Sequence, residues 1–296
     1  MTHRITPTPG QRVTTHELQR LKDKGTPIVM VTAYDYTSAS VADSAGVDVV
    51  LVGDSAAMTM LGYESTRQVS LDEMLMLARA VRRGMQRPLL VGDLPFGSYE
   101  KSNAQAIATA ERFVDAGCDA VKLEGGSPAI VDRVRALIDM GVPVMGHVGL
   151  TPQSTGLGEG FRVHGRTAAT ALEILDESLA LEAAGVFAIV YEAIPAAVTA
   201  LLVPRIRVPV IGIGAGPDTD GQVLVFDDLV GLYAGRAPKF VKRFGEMRTD
   251  MQSALERYAG EVRDHHFPAA THTYSVDASE LDALRSQLDA RVAPRA

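Results

Sequence analysis

The sequence has a single cysteine, no long apolar run and no excess of basic residues, and each of these absences excludes a class of protein. With Cys118 alone, the chain can form neither an intramolecular disulfide nor a zinc site of several cysteines. No apolar run reaches the roughly 18 residues of a membrane-spanning helix. Twenty-nine basic against 36 acidic residues give a net charge of −7, which argues against a surface for nucleic acid or anionic membrane.

Common catalytic and targeting motifs are missing as well. The polar N-terminus has no apolar signal-peptide core, and the chain has no Walker phosphate loop, H-E-x-x-H zinc motif or G-x-S-x-G nucleophile turn. A hydrophobic content of 46% over 296 residues is typical of a globular chain with a large core. We therefore expect a soluble cytoplasmic protein without nucleic-acid or membrane partners.

Short apolar runs alternate with helical patterns along most of the chain. Seven runs have strand length, and many are apolar on both faces, as buried parallel strands are. They cover residues 28–33, 47–52, 89–91, 120–123, 142–145, 187–191 and 208–213, with a weaker eighth at 229–233. Between them, helical patterns end at a glycine or proline, for example after the capping box of Ser70 and Glu73. This alternation predicts an α/β fold, a (β/α)8 TIM barrel, with a doubly wound sheet as the alternative.

The predicted barrel core covers about residues 26–240 of a single domain that spans 1–296. Residues 1–25 are expected to form a frayed leader, up to residue 13, and an N-terminal helix capped by Thr14 or Thr15. Residues 241–296 are expected to form C-terminal helices and a tail, with helical patterns at 239–262 and 275–292. These segments are additions to the barrel.

Two neighbouring apolar strands end in an aspartate. Asp54 and Asp93 lie in the similar strings Val-Gly-Asp-Ser and Val-Gly-Asp-Leu, and barrel active sites lie at the carboxyl ends of the strands. Two carboxylates that converge there need a counter-charge. A hard divalent cation such as Mg²⁺ provides it and leaves positions for water and substrate oxygens. In the alternative reading, each aspartate only caps the turn or helix that follows.

Lys122 and Glu124 stand two residues apart on one strand and therefore share a face. Val121 and Leu123 take the face toward the helices, so we expect the charged pair to point into the barrel. A buried lysine needs a partner, which Glu124 or a substrate carboxylate can supply. If a metal is present, Glu124 is a third ligand, directly or through water; the alternative is an ion pair that only fills the barrel interior.

Glu192 and His147 complete the polar residues at the strand ends. An acid among apolar neighbours suits the work of a general base, although backbone amides at the helix start near Pro195 can equally bind the Glu192 carboxylate. His147 either hydrogen-bonds a substrate oxygen or is structural. The glycines at 212, 214 and 216 lack dinucleotide spacing, so close packing is favoured over a phosphate site. Cys118 starts a strand and is assigned to the core.

Nine strings along the chain carry a resemblance to a known family. They are T-A-Y-D-Y at 32–36, L-V-G-D-S at 51–55, D-L-P-F at 93–96, V-K-L-E-G-G at 121–126, G-H-V-G-L-T-P-Q-S at 146–154, E-A-I-P at 192–195, I-G-I-G-A-G at 211–216, D-G-Q at 220–222 and P-K-F at 238–240. In this order they resemble the ketopantoate hydroxymethyltransferase family, over roughly residues 26–266.

The resemblance implies a fold, a reaction and a set of site residues. The fold is a (β/α)8 barrel of the Mg²⁺-dependent kind that handles keto acids. The reaction makes ketopantoate from 3-methyl-2-oxobutanoate and 5,10-methylenetetrahydrofolate through a Mg²⁺-stabilised enolate, in pantothenate biosynthesis. By resemblance, the site residues are Asp54 and Asp93 as metal ligands that also bind substrate, Glu124 in the metal site, Ser55 and Lys122 at the substrate carboxylate, Glu192 as the base and His147 in the pocket.

The resemblance also bears on assembly, while some local features of the sequence depart from the family. The resemblance implies one Mg²⁺ per subunit and self-association into a homo-oligomer, as a decamer. The loop at residues 155–160 departs from the family pattern, and the leader and the tail beyond His272 exceed the shortest members. One alternative is a Mg²⁺-dependent keto-acid lyase or mutase of the isocitrate-lyase-like type, but the Lys-Lys-Cys-Gly loop of that branch is absent. A non-catalytic barrel would not need four acids and a lysine at one rim.

Overall fold

Eight parallel strands close into a barrel in the part of the chain that the structure describes. A computed structural model describes residues 12–153, 163–235 and 237–292. Each strand pairs with the next along the chain, and β8 pairs with β1, so the predicted TIM barrel is confirmed. The strands are β1 Ile28–Thr32, β2 Val49–Val52, β3 Leu89–Asp93, β4 Ala120–Lys122, β5 Val144–Gly149, β6 Ala188–Glu192, β7 Val210–Ile213 and β8 Gly221–Leu224.

Helices follow the strands and surround the barrel. Most begin at a side-chain cap: Ser70 and Glu73 form the predicted capping box, and Gly185 ends a helix in the left-handed conformation. The α-helices within residues 12–245 are α1 Thr15–Asp23, α2 Tyr36–Ala45, α3 Ala56–Thr59, α4 Leu71–Gly84, α5 Asn103–Asp115, α6 Pro128–Asp139, α7 Ala168–Ala184, α8 Ala196–Leu202 and α9 Phe226–Leu229.

The eighth strand lies earlier in the chain than the sequence pattern predicted. Residues 229–233 begin with the last residue of helix α9 and form no strand, and the strand that closes the barrel is β8, whose Gln222 is exposed. Ile28, the first residue of β1, aligns with Gly221. A Cβ on Gly221 would stand 2.5 Å from the Ile28 carbonyl oxygen. The closing strand therefore contains a glycine because the neighbouring backbone comes so close, and this glycine hides the strand from an apolar-run criterion.

The barrel has an inner and an outer core. On β2, Val50 and Val52 pack toward the helices in the larger cluster, whereas Val49 and Leu51 point into the barrel. This alternation follows from the two-residue period of a strand and explains why both faces are apolar. Leu18 of α1 belongs to the inner cluster.

The leader was predicted to fray up to residue 13, and for Val13 this is wrong. The side chain of Val13 is buried in the inner cluster, and its backbone N–H donates to the Arg87 carbonyl at 2.8 Å. An apolar side chain and a backbone donor are both satisfied there, so the chain already packs on the barrel before the cap of α1 at Thr14.

Aspartates hold together the amino-terminal ends of three pairs of neighbouring strands. Each accepts a hydrogen bond from the backbone N–H of a preceding strand: Asp48 from Val29, Asp119 from Leu90 and Asp220 from Val210. Lys22 of α1 donates to Asp220 at 2.8 Å and also to the carbonyls of residues 206 and 208. These four charged residues are therefore engaged in structural contacts, and the chemistry of such a barrel is expected at the opposite end.

The chain divides into two compact units, residues 1–245 and residues 246–296. The α-helices of the second unit are α10 Met247–Arg263 and α11 Ala278–Val292, and Tyr258 packs edge to face on Phe267 with ring centroids 5.6 Å apart. The helical pattern predicted from residue 239 is wrong for its first turns, because Phe244 donates its N–H to the Leu229 carbonyl rather than along a helix. That these helices and the barrel form one domain stays a prediction. No helix in the described ranges is long and apolar enough to cross a bilayer.

Candidate active site

One cavity at the carboxyl ends of the strands brings together all the side chains predicted from the sequence. Its volume is about 620 Å³, within the range typical of small-molecule sites. The polar residues that line it include Asp54, Ser55, Asp93, Lys122, Glu124, His147 and Glu192. They come from five of the eight strands or from the residues just after them, so the topology alone places them together.

Asp54 and Asp93 are both buried, at 6% and 1% exposure. They follow or end neighbouring strands, and Asp93 Oδ2 accepts the backbone N–H of Asp54 at 3.1 Å. Burial, together with the charges of Asp93 and Glu124, raises the pKa of Asp54 well above its usual value. Burial also raises the pKa of Asp93 although Lys122 opposes this shift. Two carboxylates in one buried site repel each other, which is the condition that a cation relieves.

Lys122 is buried and pairs with Asp93. Its Nζ lies 2.9 Å from Asp93 Oδ1 and 3.9 Å from Glu124 Oε1. Burial lowers the pKa of Lys122, but the surrounding carboxylates, Asp93 first, outweigh it and leave the pKa above its usual value. Lys122 therefore carries a permanent positive charge inside the barrel. The sequence predicted a buried lysine with an acidic partner, and the structure shows that the nearer partner is on the adjacent strand.

Glu124, His147 and Glu192 form a chain of contacts across the cavity. His147 Nδ1 lies 3.3 Å from Glu124 Oε1, and His147 Nε2 lies 3.2 Å from Glu192 Oε2. Burial and Lys122 lower the pKa of His147, but Glu124 and Glu192 prevail and raise it to about 9. The imidazole is therefore charged at neutral pH, with a carboxylate on each side. The sequence left the role of His147 open, and the structure places its ring between the two glutamates.

Ser55 follows Asp54 at the mouth of β2 and is held by a buried tyrosine. Tyr34 Oη lies 2.8 Å from Ser55 Oγ, and Thr59 donates to the Ser55 carbonyl at 3.2 Å. Burial keeps the pKa of Tyr34 above its usual value, so the phenol stays protonated. Tyr34 belongs to the T-A-Y-D-Y string, which sequence reasoning used only for the resemblance.

The sequence analysis did not single out Gln153 and Tyr99 as site residues. Gln153 is 2% exposed and hydrogen-bonds Asp54, and Tyr99 donates its hydroxyl to Gln153 at 2.7 Å. Both follow strands as loop residues, where periodicity gives no signal. The one indication was the position of Gln153 in the string at 146–154. The divergent loop at 155–160 lies outside the described residues.

The glycine run at 211–216 is closely packed by protein groups. A Cβ on Gly214, whose φ is +64°, would lie 2.5 Å from the Phe240 ring, and one on Gly216 would lie 2.4 Å from the Ala196 Cβ. Phe240 itself lines the cavity. The glycines therefore allow close packing, as predicted, and their contacts give no indication of a phosphate cradle.

The donor set of the cavity fits a divalent cation. Four carboxylates face one ammonium and one imidazolium, so the cluster has a formal net charge of −2. Asp93 Oδ1 is buried without a hydrogen-bond donor, since its contact with Lys122 does not have hydrogen-bond geometry. Among the described residues, no group of three or more His, Cys, Asp or Glu side chains has the geometry to hold an ion. The fit is therefore to Asp54 and Asp93, with the remaining positions left to water and substrate oxygens.

Comparisons of sequence agree with one another over nearly the whole chain. Residues 12–270 match the model of a family described as ketopantoate hydroxymethyltransferase. A 3-methyl-2-oxobutanoate hydroxymethyltransferase of Nitratidesulfovibrio vulgaris is 48% identical over 290 residues, covering 97% of this chain and 94% of the relative. The mitochondrial 3-methyl-2-oxobutanoate hydroxymethyltransferase 1 of Arabidopsis thaliana is 47% identical, covering 95% of this chain and 83% of the relative.

Solved structures of similar fold are distant in sequence. A phosphoenolpyruvate phosphomutase from Streptomyces platensis superposes with a TM-score of 0.59 at 15% identity, covering 94% of this chain and 96% of that one. A 2,3-dimethylmalate lyase superposes with a TM-score of 0.54 at 15% identity, covering 93% of this chain and 98% of that one. At this identity the likeness concerns the barrel fold alone.

Proposed function

Because the chain belongs to the ketopantoate hydroxymethyltransferase family, we propose that it transfers a hydroxymethyl group to 3-methyl-2-oxobutanoate and makes ketopantoate in the cavity at the barrel mouth. The observation that carries this proposal is the identity of 48% over 97% of the chain with an enzyme of that name. The convergence of all seven predicted polar residues in one cavity supports the placement of the reaction.

We assign the substrate carboxylate to Lys122 and Ser55. Lys122 keeps its charge at neutral pH and is rigidly placed by Asp93, and a fixed cation in a buried site attracts a carboxylate strongly. The Ser55 hydroxyl is held by Tyr34 and can donate to the same carboxylate. Together they orient the keto acid so that its C3 faces the other side of the cavity.

The residues that would hold a divalent cation are Asp54 and Asp93, with Glu124 participating through water. We propose one Mg²⁺ per subunit. When bound, such a cation supplies Lewis-acid stabilisation of the negative charge that develops on the substrate oxygens. A water-mediated role for Glu124 is consistent with its own contacts, since Oε2 accepts the Gln153 backbone N–H at 3.0 Å and Oε1 contacts His147.

Glu192 is the base in this proposal. Its side chain is 13% exposed and lines the cavity. His147 contacts Oε2, while Oε1 accepts no hydrogen bond from a described residue, so Oε1 can take the proton from C3 of the keto acid. The charged imidazole holds Glu192 in place through Oε2 and leaves Oε1 available to the substrate. Removal of the proton leaves C3 as the nucleophile that attacks the methylene carbon of the one-carbon donor. The bond from this carbon to the folate nitrogen then breaks, water supplies the hydroxyl oxygen, and tetrahydrofolate leaves with the proton on its nitrogen.

The co-substrate in the proposal is 5,10-methylenetetrahydrofolate. A cavity of about 620 Å³ is larger than a small keto acid needs, and it is lined by Met58, Tyr233 and Phe240 as well as by the polar cluster. Flat aromatic and flexible apolar side chains suit a planar heterocycle. Lys239 lines the same cavity and can meet an anionic group of the cofactor. A cytoplasmic location and assembly into a homo-oligomer, as a decamer, remain predictions from the sequence.

The test is a product assay. Purified protein is incubated with 3-methyl-2-oxobutanoate and 5,10-methylenetetrahydrofolate, with Mg²⁺ or with excess EDTA, and ketopantoate is followed by mass spectrometry. The proposal predicts ketopantoate with Mg²⁺ and little or none with EDTA. Folded protein that binds Mg²⁺ and makes no ketopantoate, but cleaves or rearranges another keto acid, would move the assignment to a lyase or mutase.

A further inference from the structure

Gln153 connects four successive strand ends although it belongs to none of them. It follows β5, and its side chain reaches Asp54 after β2, Leu94 after β3 and Tyr99 in the loop that follows β3. Its backbone N–H donates to Glu124 Oε2, after β4, at 3.0 Å. One buried residue, through its side-chain amide and its backbone N–H, therefore ties together the part of the barrel mouth that carries three of its carboxylates.

The orientation of the Gln153 amide follows from its partners. Nε2 lies 2.9 Å from Asp54 Oδ2 and 3.1 Å from the Leu94 carbonyl oxygen, and both of these atoms only accept hydrogen bonds. This end must be the NH₂ group, and the carbonyl end accepts from Tyr99 Oη at 2.7 Å. Both amide hydrogens and the amide oxygen are therefore used, so the side chain has one satisfied orientation.

Two hydrogen bonds join Glu124 to Tyr99 and Gln153. Its backbone N–H donates to Tyr99 Oη at 3.4 Å, and its carboxylate accepts the backbone N–H of Gln153. Tyr99, Gln153 and Glu124 thus form a closed ring of hydrogen bonds. Burial keeps the Tyr99 phenol protonated, with its pKa above the usual value, so its hydroxyl continues to donate to the amide.

Asp54 depends on this amide more than the other acids do. Its carboxylate is buried beside Asp93 and Glu124, and among the described residues only Gln153 donates a hydrogen bond to it. The bond engages Oδ2, whereas Oδ1 accepts no hydrogen bond from the described part of the chain. A carboxylate that is held by one oxygen presents the other in a fixed direction. Outer partners of metal ligands orient those ligands in the same way.

We propose that Gln153 is a positioning residue that holds Asp54 so that its free oxygen faces the cation and substrate. The inference rests on the proposed function, because it takes Asp54 as a ligand of the divalent cation. It adds a residue from the loop after β5 whose effect on binding and turnover acts through Asp54. Gln153 itself does not line the main cavity, so it has no contact with substrate in this role.

The test measures metal affinity without turnover. Gln153→Met keeps the length and apolar bulk of the side chain but removes the donor to Asp54. Tyr99→Phe is the matched control, since it removes one hydroxyl from the same ring and leaves the donor in place. Asp54→Asn is the reference for loss of the ligand. Affinity for Mn²⁺ is measured by electron paramagnetic resonance and for Mg²⁺ by calorimetry, with the melting temperature recorded for every variant.

The expected result is a roughly 10- to 100-fold loss of metal affinity in Gln153→Met, the range found for outer partners of ligands. Tyr99→Phe should lose less than about threefold, within the modest net effect of one neutral hydrogen bond. Because Gln153 acts through Asp54, adding Gln153→Met to Asp54→Asn should change the affinity little further. A purely structural role would lower the melting temperature without this dependence on Asp54.

Three results would overturn the proposal, and they are distinguishable. Wild-type affinity in Gln153→Met, with Asp54→Asn impaired, removes the positioning role and leaves the metal assignment intact. Wild-type affinity in Asp54→Asn removes the metal assignment and the positioning role with it. If Gln153→Met does not fold, Gln153→Asn, whose amide is one methylene too short to reach Asp54, takes its place; failure of both to fold assigns Gln153 to stability instead.

Discussion

Replacing Lys122 by methionine should leave a buried, uncompensated group of carboxylates. The Lys122 and Asp93 side chains are 5% and 2% exposed, and their charged atoms lie 2.9 Å apart. Methionine keeps the bulk of the side chain but not its charge, so the formal charge of the cluster changes from −2 to −3. Breaking a buried ion pair by removing one partner costs about 3–5 kcal/mol. We therefore expect metal-free Lys122→Met to lose about that much free energy of unfolding.

The assay is urea unfolding in EDTA at neutral pH, followed by circular dichroism. The double variant Lys122→Met/Asp93→Asn is the control, since it removes the uncompensated charge and should recover most of the loss. A single variant that loses less than about 1 kcal/mol would refute the reasoning, because that is the range of an exposed pair. In the metal-loaded enzyme, the same variant should bind Mg²⁺ at least as tightly as wild type and have a much higher KM for the keto acid.

Three further predictions concern pH, the glycine run and the amino-terminal ends of the strands. The pKa of His147 is raised from 6.5 to about 9, so its protonation stabilises the folded state by about 3 kcal/mol, at roughly 1.4 kcal/mol per pH unit. This stabilisation is complete below pH 6.5 and is lost as the pH rises to 9. The free energy of unfolding of the metal-free protein should fall across this range, and His147→Gln should abolish this pH dependence. Gly214→Ala should raise the KM for the folate more than that for the keto acid, because the new Cβ would displace the Phe240 ring and sit at a positive φ; equal changes in both KM values would contradict this. Lys22→Met should cost about 1.5–3 kcal/mol of unfolding free energy, since it loses the ion pair with Asp220 and two carbonyl contacts, and steady-state kinetics should show kcat unchanged.

The strand ends and the residues on them could be predicted from the sequence. A run of residues that is apolar on both faces marks a buried parallel strand, and the first polar residues after the run lie at the carboxyl end of that strand. This logic placed Asp54, Asp93, Lys122, Glu124 and Glu192 in one cavity, where the structure has them. Their roles in binding and catalysis stay proposals.

The partner of Lys122 could not be read from the sequence, because it depends on strand register. Asp93 aligns with Lys122 across β3 and β4, and paired strands lie about 4.8 Å apart. Glu124 stands two residues along the same chain, about 6.6 Å at the strand rise per residue. The sequence pattern shows the spacing of Lys122 and Glu124 along one strand but not the pairing of Lys122 with Asp93 across two strands. It therefore identified a buried lysine but not its nearer partner.

Loop residues and the closing strand escaped for a different reason. Gln153 and Tyr99 lie where the chain has no period, and their importance arises from contacts between segments distant in sequence. β8 has a glycine and an exposed glutamine in four residues, so it lacks the apolar run that marked the other strands. Its pairing with the two neighbouring strands, which closes the barrel, identifies β8 as a strand, whereas its composition does not.

Exchange of the C3 proton of 3-methyl-2-oxobutanoate for deuterium tests the account's central claim, that the cluster at the barrel mouth removes this proton with Glu192 as the base. Wild-type protein with Mg²⁺ in D₂O, without the folate, should catalyse the exchange, as followed by proton NMR. Glu192→Gln should bind the keto acid with an affinity near that of wild type and show no exchange above the EDTA control. Exchange by Glu192→Gln at the wild-type rate would contradict the account.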